Sequence, residues 1–261
     1  MSSNNAIRRA INANEPVYGA SAATFSPTVI EIFAELGLDF VWLDLEHGGP
    51  SPYDSTTIEE LTRAADVADI ELLVRIPAPE PSIVRKILDA GVRTLLIPRI
   101  ETADELRPAV EAAFFSYDDR VGDRGVGIGR GSQWAGYDDS HVGTADDDVL
   151  IGTMIENERA IENLDEILSI PQLGFAFLGP ADMSMSMSAG DPTAKHPDRV
   201  ANGIEKTLEA CLDADVPAGR IQNDPTKAAE AVGDGFQIVR IGDDIGAIRA
   251  VLSERLGVVT D

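Results

Sequence analysis

Glu71-Leu-Leu-Val-Arg-Ile-Pro-Ala-Pro-Glu-Pro-Ser-Ile-Val-Arg-Lys-Ile-Leu-Asp-Ala-Gly-Val-Arg-Thr-Leu-Leu-Ile97 decides the fold class. Residues 71–76 form a short apolar run, as in a strand buried on both faces. Residues 81–88 carry apolar side chains at helical spacing, and Gly91 stands as the C-terminal stop. Residues 94–97 are apolar again. Strand, crossover helix and strand in this order make a parallel βαβ unit covered by helices.

The same alternation runs outward in both directions. Apolar runs at 17–22, 40–45, 71–76, 94–97, 150–155, 175–178, 218–221 and 237–241 predict eight strands. Helical patterns follow them: one opened by Ser26 and Pro27, then 56–67, 81–88, 102–115, 158–168, 197–214, 225–232 and 245–256. Thr102 and Glu105 have capping-box spacing. Eight such units predict an α/β fold, a closed (β/α)8 TIM barrel, with a doubly wound open sheet as the alternative. No linker divides the chain, so residues 1–261 are expected to form a single domain. Residues 116–148 break the rhythm as a long, charged, Gly-rich loop without helical or strand period. Within it, Gly122-Asp-Arg-Gly-Val-Gly-Ile-Gly-Arg-Gly131 resembles a phosphate cradle. It lacks the Walker lysine and opens no helix, so a flexible active-site loop is the expectation.

Composition removes several function classes. Asp plus Glu number 45 and Lys plus Arg 21, a net charge of −24. Such a chain repels nucleic acid and anionic membranes, so neither partner is expected. The acids are scattered as a solvated shell and lysines number only four, a balance that resembles halophilic proteins of a salt-rich cytoplasm. The single Cys211 fits a reducing cytosol. The polar N-terminal stretch shows no signal peptide, and no apolar run approaches the ~20 residues of a membrane span. A cytoplasmic protein is therefore expected.

Barrel active sites lie at the C-terminal ends of the strands. Charge concentrates there. The second run ends in Asp44, Glu46 and His47, the third in Arg75, the fifth in Glu156, and the sixth runs into Gly179, Pro180, Ala181 and Asp182. Glu156 and Asp182 either hold a hard divalent cation or cap helices. Lys86, Lys206 and Lys227 fall in helical patterns and Lys195 in a loop. No lysine is therefore available for Schiff-base chemistry, and carbanion chemistry would need a metal as electron sink.

Phe40-Val-Trp-Leu-Asp-Leu-Glu-His47, Leu73-Val-Arg-Ile-Pro77, Lys86-Ile-Leu-Asp-Ala-Gly91, Thr94-Leu-Leu-Ile-Pro98, Arg124-Gly-Val-Gly127, Met154-Ile-Glu156 and Leu178-Gly-Pro-Ala-Asp-Met-Ser184 occur in this order. Together they resemble the HpcH/HpaI aldolase family, metal-dependent pyruvate aldolases of the phosphoenolpyruvate/pyruvate-like barrel superfamily. The resemblance covers residues 17–256. It implies a divalent cation (Mg2+, Mn2+ or Co2+) held by Glu156 and Asp182, with a pyruvyl unit chelating it. It implies that the Ala181 N–H holds the substrate carboxylate and that Arg75 steadies the enolate oxygen. His47 would be the base, acting on the 4-hydroxyl directly or through a metal-bound water, with Asp89 raising its basicity. Asp44 and Glu46 remain supporting candidates behind these. Retro-aldol cleavage of a 4-hydroxy-2-oxo acid to pyruvate and an aldehyde needs both functions, proton removal and charge stabilisation. The resemblance also implies a homohexamer, a trimer of dimers, with the last helix exchanged.

The chain departs from the family at Met154, where many members have a glutamine that contacts the pyruvyl group. Rival readings are a citrate-lyase-like acyl-CoA lyase, for which Arg120, Arg124 and Arg130 would supply a phosphate patch, a barrel that has lost catalysis, and a phosphate-site isomerase.

Overall fold

The apolar runs pair as parallel strands, and the ladder closes on itself. In the computed structural model, residues 4–136, 138–188, 191, 193–194 and 196–260 are described. Lys195, expected in a loop, lies outside them. In chain order the elements begin with α1 (Ala6–Asn12), β1 (Val17–Ser21), α2 (Pro27–Glu35), β2 (Phe40–Asp44), α3 (Ser55–Ala68), β3 (Glu71–Arg75), α4 (Pro81–Asp89), β4 (Thr94–Ile97) and α5 (Ala103–Glu111). A two-residue hairpin, β5 (Ser116–Tyr117) with β6 (Arg120–Val121), a 3-10 turn (Arg130–Ala135) and α6 (His141–Asp148) follow. Then come β7 (Leu150–Ile155), α7 (Glu158–Glu162), α8 (Leu164–Leu168), β8 (Leu173–Leu178), α9 (Pro180–Ser186), α10 (Pro197–Asp213), β9 (Ala218–Ile221), α11 (Pro225–Asp234), β10 (Ile238–Asp243) and α12 (Asp244–Thr260). The barrel order is β1-β10-β9-β8-β7-β4-β3-β2, closed. The open doubly wound alternative is thereby excluded.

Alternation along each strand builds two apolar layers. Phe40, Trp42, Leu73, Leu96, Leu150, Met154, Phe175, Phe177 and Ile238 fill the barrel. Their neighbours Val41, Leu43, Leu72, Val74, Leu95 and Val239 face the helices. The N-terminal segment, read from sequence only as polar, forms α1 and closes the lower end. Ile7 is fully buried within the interior cluster, and the Asn5 side-chain amide donates to Thr94 Oγ1 at 2.8 Å.

Two expectations change in the segment 116–148. It contains α6, which buries only His141 and so offers no apolar stripe to read. Gly127, Gly129 and Gly131 line the C-terminal end of α4. A Cβ on Gly129 would stand 2.8 Å from the Asp89 carbonyl oxygen, and one on Gly131 would meet that of Leu88. Close backbone packing therefore accounts for these glycines without a phosphate. The capping box at Thr102 and Glu105 is present as read.

Candidate active site

Register brings the charged strand ends side by side. Asp44 and Arg75 are the last residues of β2 and β3, and they pair across the ladder. Arg75 forms a fork on Asp44, with Nε donating to Oδ1 at 2.9 Å and Nη2 to Oδ2 at 2.5 Å. Its Nη1 lies 2.9 Å from Glu46 Oε2 and 3.4 Å from the Met154 thioether. Trp42 lies beneath, its ring centroid 5.7 Å from the guanidinium carbon. Burial acts first on Arg75 and opposes its charge. The Asp44 hydrogen bonds and the charges of Asp44, Glu46 and Glu156 outweigh it, and the guanidinium is held above its ordinary range. Asp44, although burial alone would raise its carboxyl, is drawn below the usual range by the same pair.

Glu156 follows β7 and is buried at 5% exposure. Its Oε1 accepts the Arg99 backbone N–H at 2.7 Å. Arg99 adopts φ +59°, a left-handed conformation that L-residues rarely take, and this turn aims the N–H at the carboxylate. The Arg99 side chain closes back on Glu46, Nε to Oε1 at 2.5 Å. Gly179 lets the backbone cross directly over Glu156. A Cβ there would lie 2.9 Å from both Glu156 Cβ and Met154 Cε. Beyond Gly179, α9 begins with Pro180 and carries exposed Asp182 and Ala181 in its first turn.

Glu46, Arg99, Glu101, Glu156, Asn157, Asp182 and Ser186 line a cavity of about 360 Å3. Burial, reinforced by the charges of Glu46 and Asp182, pushes the Glu156 carboxyl above the usual range against the pull of the Arg99 N–H. Four carboxylates, Asp44, Glu46, Glu156 and Asp182, share Arg75 and Arg99, so the rim holds surplus negative charge. Among the described residues no group of three or more His, Cys, Asp or Glu is gathered for a metal. Two oxygen-donor side chains beside an open cavity fit a hard cation that keeps positions for small ligands.

One sequence expectation, Asp89 acting on His47, is not met within the chain. His47 is more than half exposed, and its nearest carboxylate is Glu46, Nε2 to Oε2 at 3.6 Å. Asp89 ends α4, at the opposite end of the barrel from His47, packed beside Gly127 and Gly129. Its carboxyl is raised by burial, against the charges of Arg124, Lys86 and Arg85, and His47 is not among the groups acting on it. The helix reverses direction after each strand, so its C-terminus cannot reach a strand end in the same chain. The glycine-rich segment likewise lies away from this mouth. Its arginines are engaged locally: Arg120 pairs with Glu111, Arg130 with Asp66, and Arg124 stacks 4.7 Å from the Phe115 ring centroid. Arg99 was missed in the sequence because it stands one residue past Pro98, outside the apolar run, though strand-end charge was the right signal.

The HpcH/HpaI aldolase/citrate lyase family model matches residues 19–250. The chain belongs to this family. A hydroxypyruvate/pyruvate aldolase of Roseobacter denitrificans is 30% identical over 94% of this chain and 93% of its own. A 2-keto-3-deoxy-L-rhamnonate aldolase of Klebsiella pneumoniae is 31% identical over 97% and 92%. A solved HpcH/HpaI aldolase/citrate lyase family protein of Burkholderia cenocepacia superimposes with a TM-score of 0.87 at 30% identity, covering 98% of this chain and 100% of its own. The matched span takes in the rim residues from Asp44 to Asp182.

Proposed function

We infer that this carbon–carbon lyase is a metal-dependent pyruvate aldolase, cleaving a 4-hydroxy-2-oxo acid reversibly to pyruvate and an aldehyde. The observation that carries the reading is the Glu156–Asp182 pair, a buried and an exposed carboxylate on one small cavity beside Arg75. Glu156 and Asp182 would hold Mg2+, Mn2+ or Co2+, which when bound supplies Lewis-acid polarisation of the 2-oxo group. Arg75, anchored by Asp44 and Glu46, presents a fixed positive charge to the developing enolate oxygen. The Ala181 N–H, in the first turn of α9, has no partner within that helix and suits a carboxylate oxygen. His47 is exposed at the rim and takes the proton of the 4-hydroxyl, with Glu46 beside it. The same enolate chemistry extends to oxaloacetate decarboxylation.

Asp89 can act on a His47 only from a second copy of the chain. The apolar face of α12 supports assembly, since Ile248, Val251, Leu252 and Leu256 are 44–60% exposed. A homohexamer with α12 exchanged between partners would cover it. No helix of the described residues is long and apolar enough to cross a membrane. A salt-rich, reducing cytoplasm is the setting that the acidic surface and buried Cys211 support.

The test is condensation of pyruvate with a panel of short aldehydes, with Mg2+ or Mn2+ and then with chelator. Formation of a 4-hydroxy-2-oxo acid that stops with chelator is expected. Chelator-insensitive product would remove the metal, and thioester cleavage without condensation would favour an acyl-CoA lyase.

A further inference from the structure

β10 brings a third guanidinium to the same mouth. Ile238 faces the barrel interior and Val239 the helices, so alternation turns Arg240 inward. Arg240 pairs with Ile221 of β9. Ile221 follows Arg220, which pairs with Leu178, the residue before the Gly179 turn. The Arg240 side chain reaches Ser21, the last residue of β1, and feels the charges of Arg75 and Asp44, so it stands at the catalytic end. β9 and β8 separate its strand from β7.

Its bonding is poor for a cation in this position. Nη1 donates to Ser21 Oγ at 3.4 Å and to Gly242 O at 3.3 Å, both long. Nε is buried without a hydrogen-bond partner. Arg75 is forked by Asp44 and Arg99 is held by Glu46, whereas no described carboxylate forms an ion pair with Arg240. Burial first, and then the charge of Arg75, draw its guanidinium below the ordinary range against the charges of Asp243 and Asp44. A partly buried cation that no carboxylate forks costs stability, and a guanidinium matches a carboxylate through its planar fork.

We propose that Arg240 determines specificity by binding a carboxylate on the half of the substrate that leaves as the aldehyde. The preferred substrate is then a 2-oxo acid with a second carboxylate, its pyruvyl end at Glu156 and Asp182 and its far end at Arg240. This rests on the aldolase reading for which end is which.

Calorimetry with 2-oxoadipate and 2-oxohexanoate tests it. Both lack the 4-hydroxyl and are not cleaved, and they differ in the terminal carboxylate. With Mg2+ present, the wild-type chain is expected to bind 2-oxoadipate about ten- to a hundredfold more tightly. Arg240→Leu should erase the difference and Arg240→Lys keep part of it. The melting temperature of Arg240→Leu should equal or exceed that of the wild type, since an uncompensated charge is removed. No preference in the wild type, a preference that survives Arg240→Leu, or equal weakening of both ligands would overturn the proposal. Failure of condensation with every aldehyde, beside an intact Arg240-dependent preference, would sink the aldolase reading alone.

Discussion

Glu156 carries the charge problem of the rim. Burial first, then Glu46 and Asp182, hold its carboxyl above the usual range in the folded chain. The folded state therefore binds that proton more tightly than the unfolded state. Stability is lost as pH rises from the unfolded carboxylate value through the folded one. With chelator present, Glu156→Gln is expected to raise the melting temperature at about pH 8 and to leave it unchanged at about pH 4, where the carboxyl is largely protonated in both states. An equal shift at both values would mean that charge is not the cause. His47→Ala should lower aldol cleavage by about a hundredfold or more and leave Mn2+ affinity unchanged. Lost metal binding would give His47 a different role. At this scale the sequence was informative wherever a charged residue directly ended an apolar run: Asp44, Arg75, Glu156. Arg99 escaped because Pro98 separates it from the apolar run, and an unusual φ aims its backbone N–H at Glu156 while its side chain pairs with Glu46. Asp89 was associated with His47 by resemblance, and only the direction of α4 separates them.

Gly179 joins β8 to α9 and keeps Glu156 in place. Gly179→Ala would press a methyl group against Glu156 and Met154, so strand end or helix start must shift. The expected cost is about 1–3 kcal/mol in denaturant unfolding, with Mn2+ affinity weakened about tenfold by calorimetry. Wild-type affinity in this variant would show that the turn does not hold the ligand. The strands were legible because most of them carry apolar residues on both faces, which leaves a nearly continuous run, as in β2, β4 and β7. The helices were legible where an apolar stripe faces the barrel, as in α4. α9 was hidden because Gly-Pro-Ala-Asp reads as a loop. The pattern at 158–168 read as one helix, but the chain divides at Asn163 into α7 and α8. α1 presents a single fully buried residue, Ile7, and too little stripe to notice.

The whole molecule carries a net charge of −24. Self-repulsion of that size is screened as salt rises. Thermal melting should therefore move upward between about 0.1 M and about 2 M KCl, and a flat or falling curve would remove the halophilic reading. The barrel class was legible at this scale from the count of βα units. The position of the segment 116–148 was not, because it is set by packing against α4. The central claim is that Glu156 and Asp182 hold a cation on which pyruvate is enolised beside Arg75. Exchange of the pyruvate methyl protons with deuterium oxide, followed by proton NMR, reads that step without any aldehyde. Exchange is predicted with Mn2+ or Mg2+, lost on adding chelator and in Glu156→Gln. Exchange that persists in chelator, or in Glu156→Gln with metal supplied, would contradict the account.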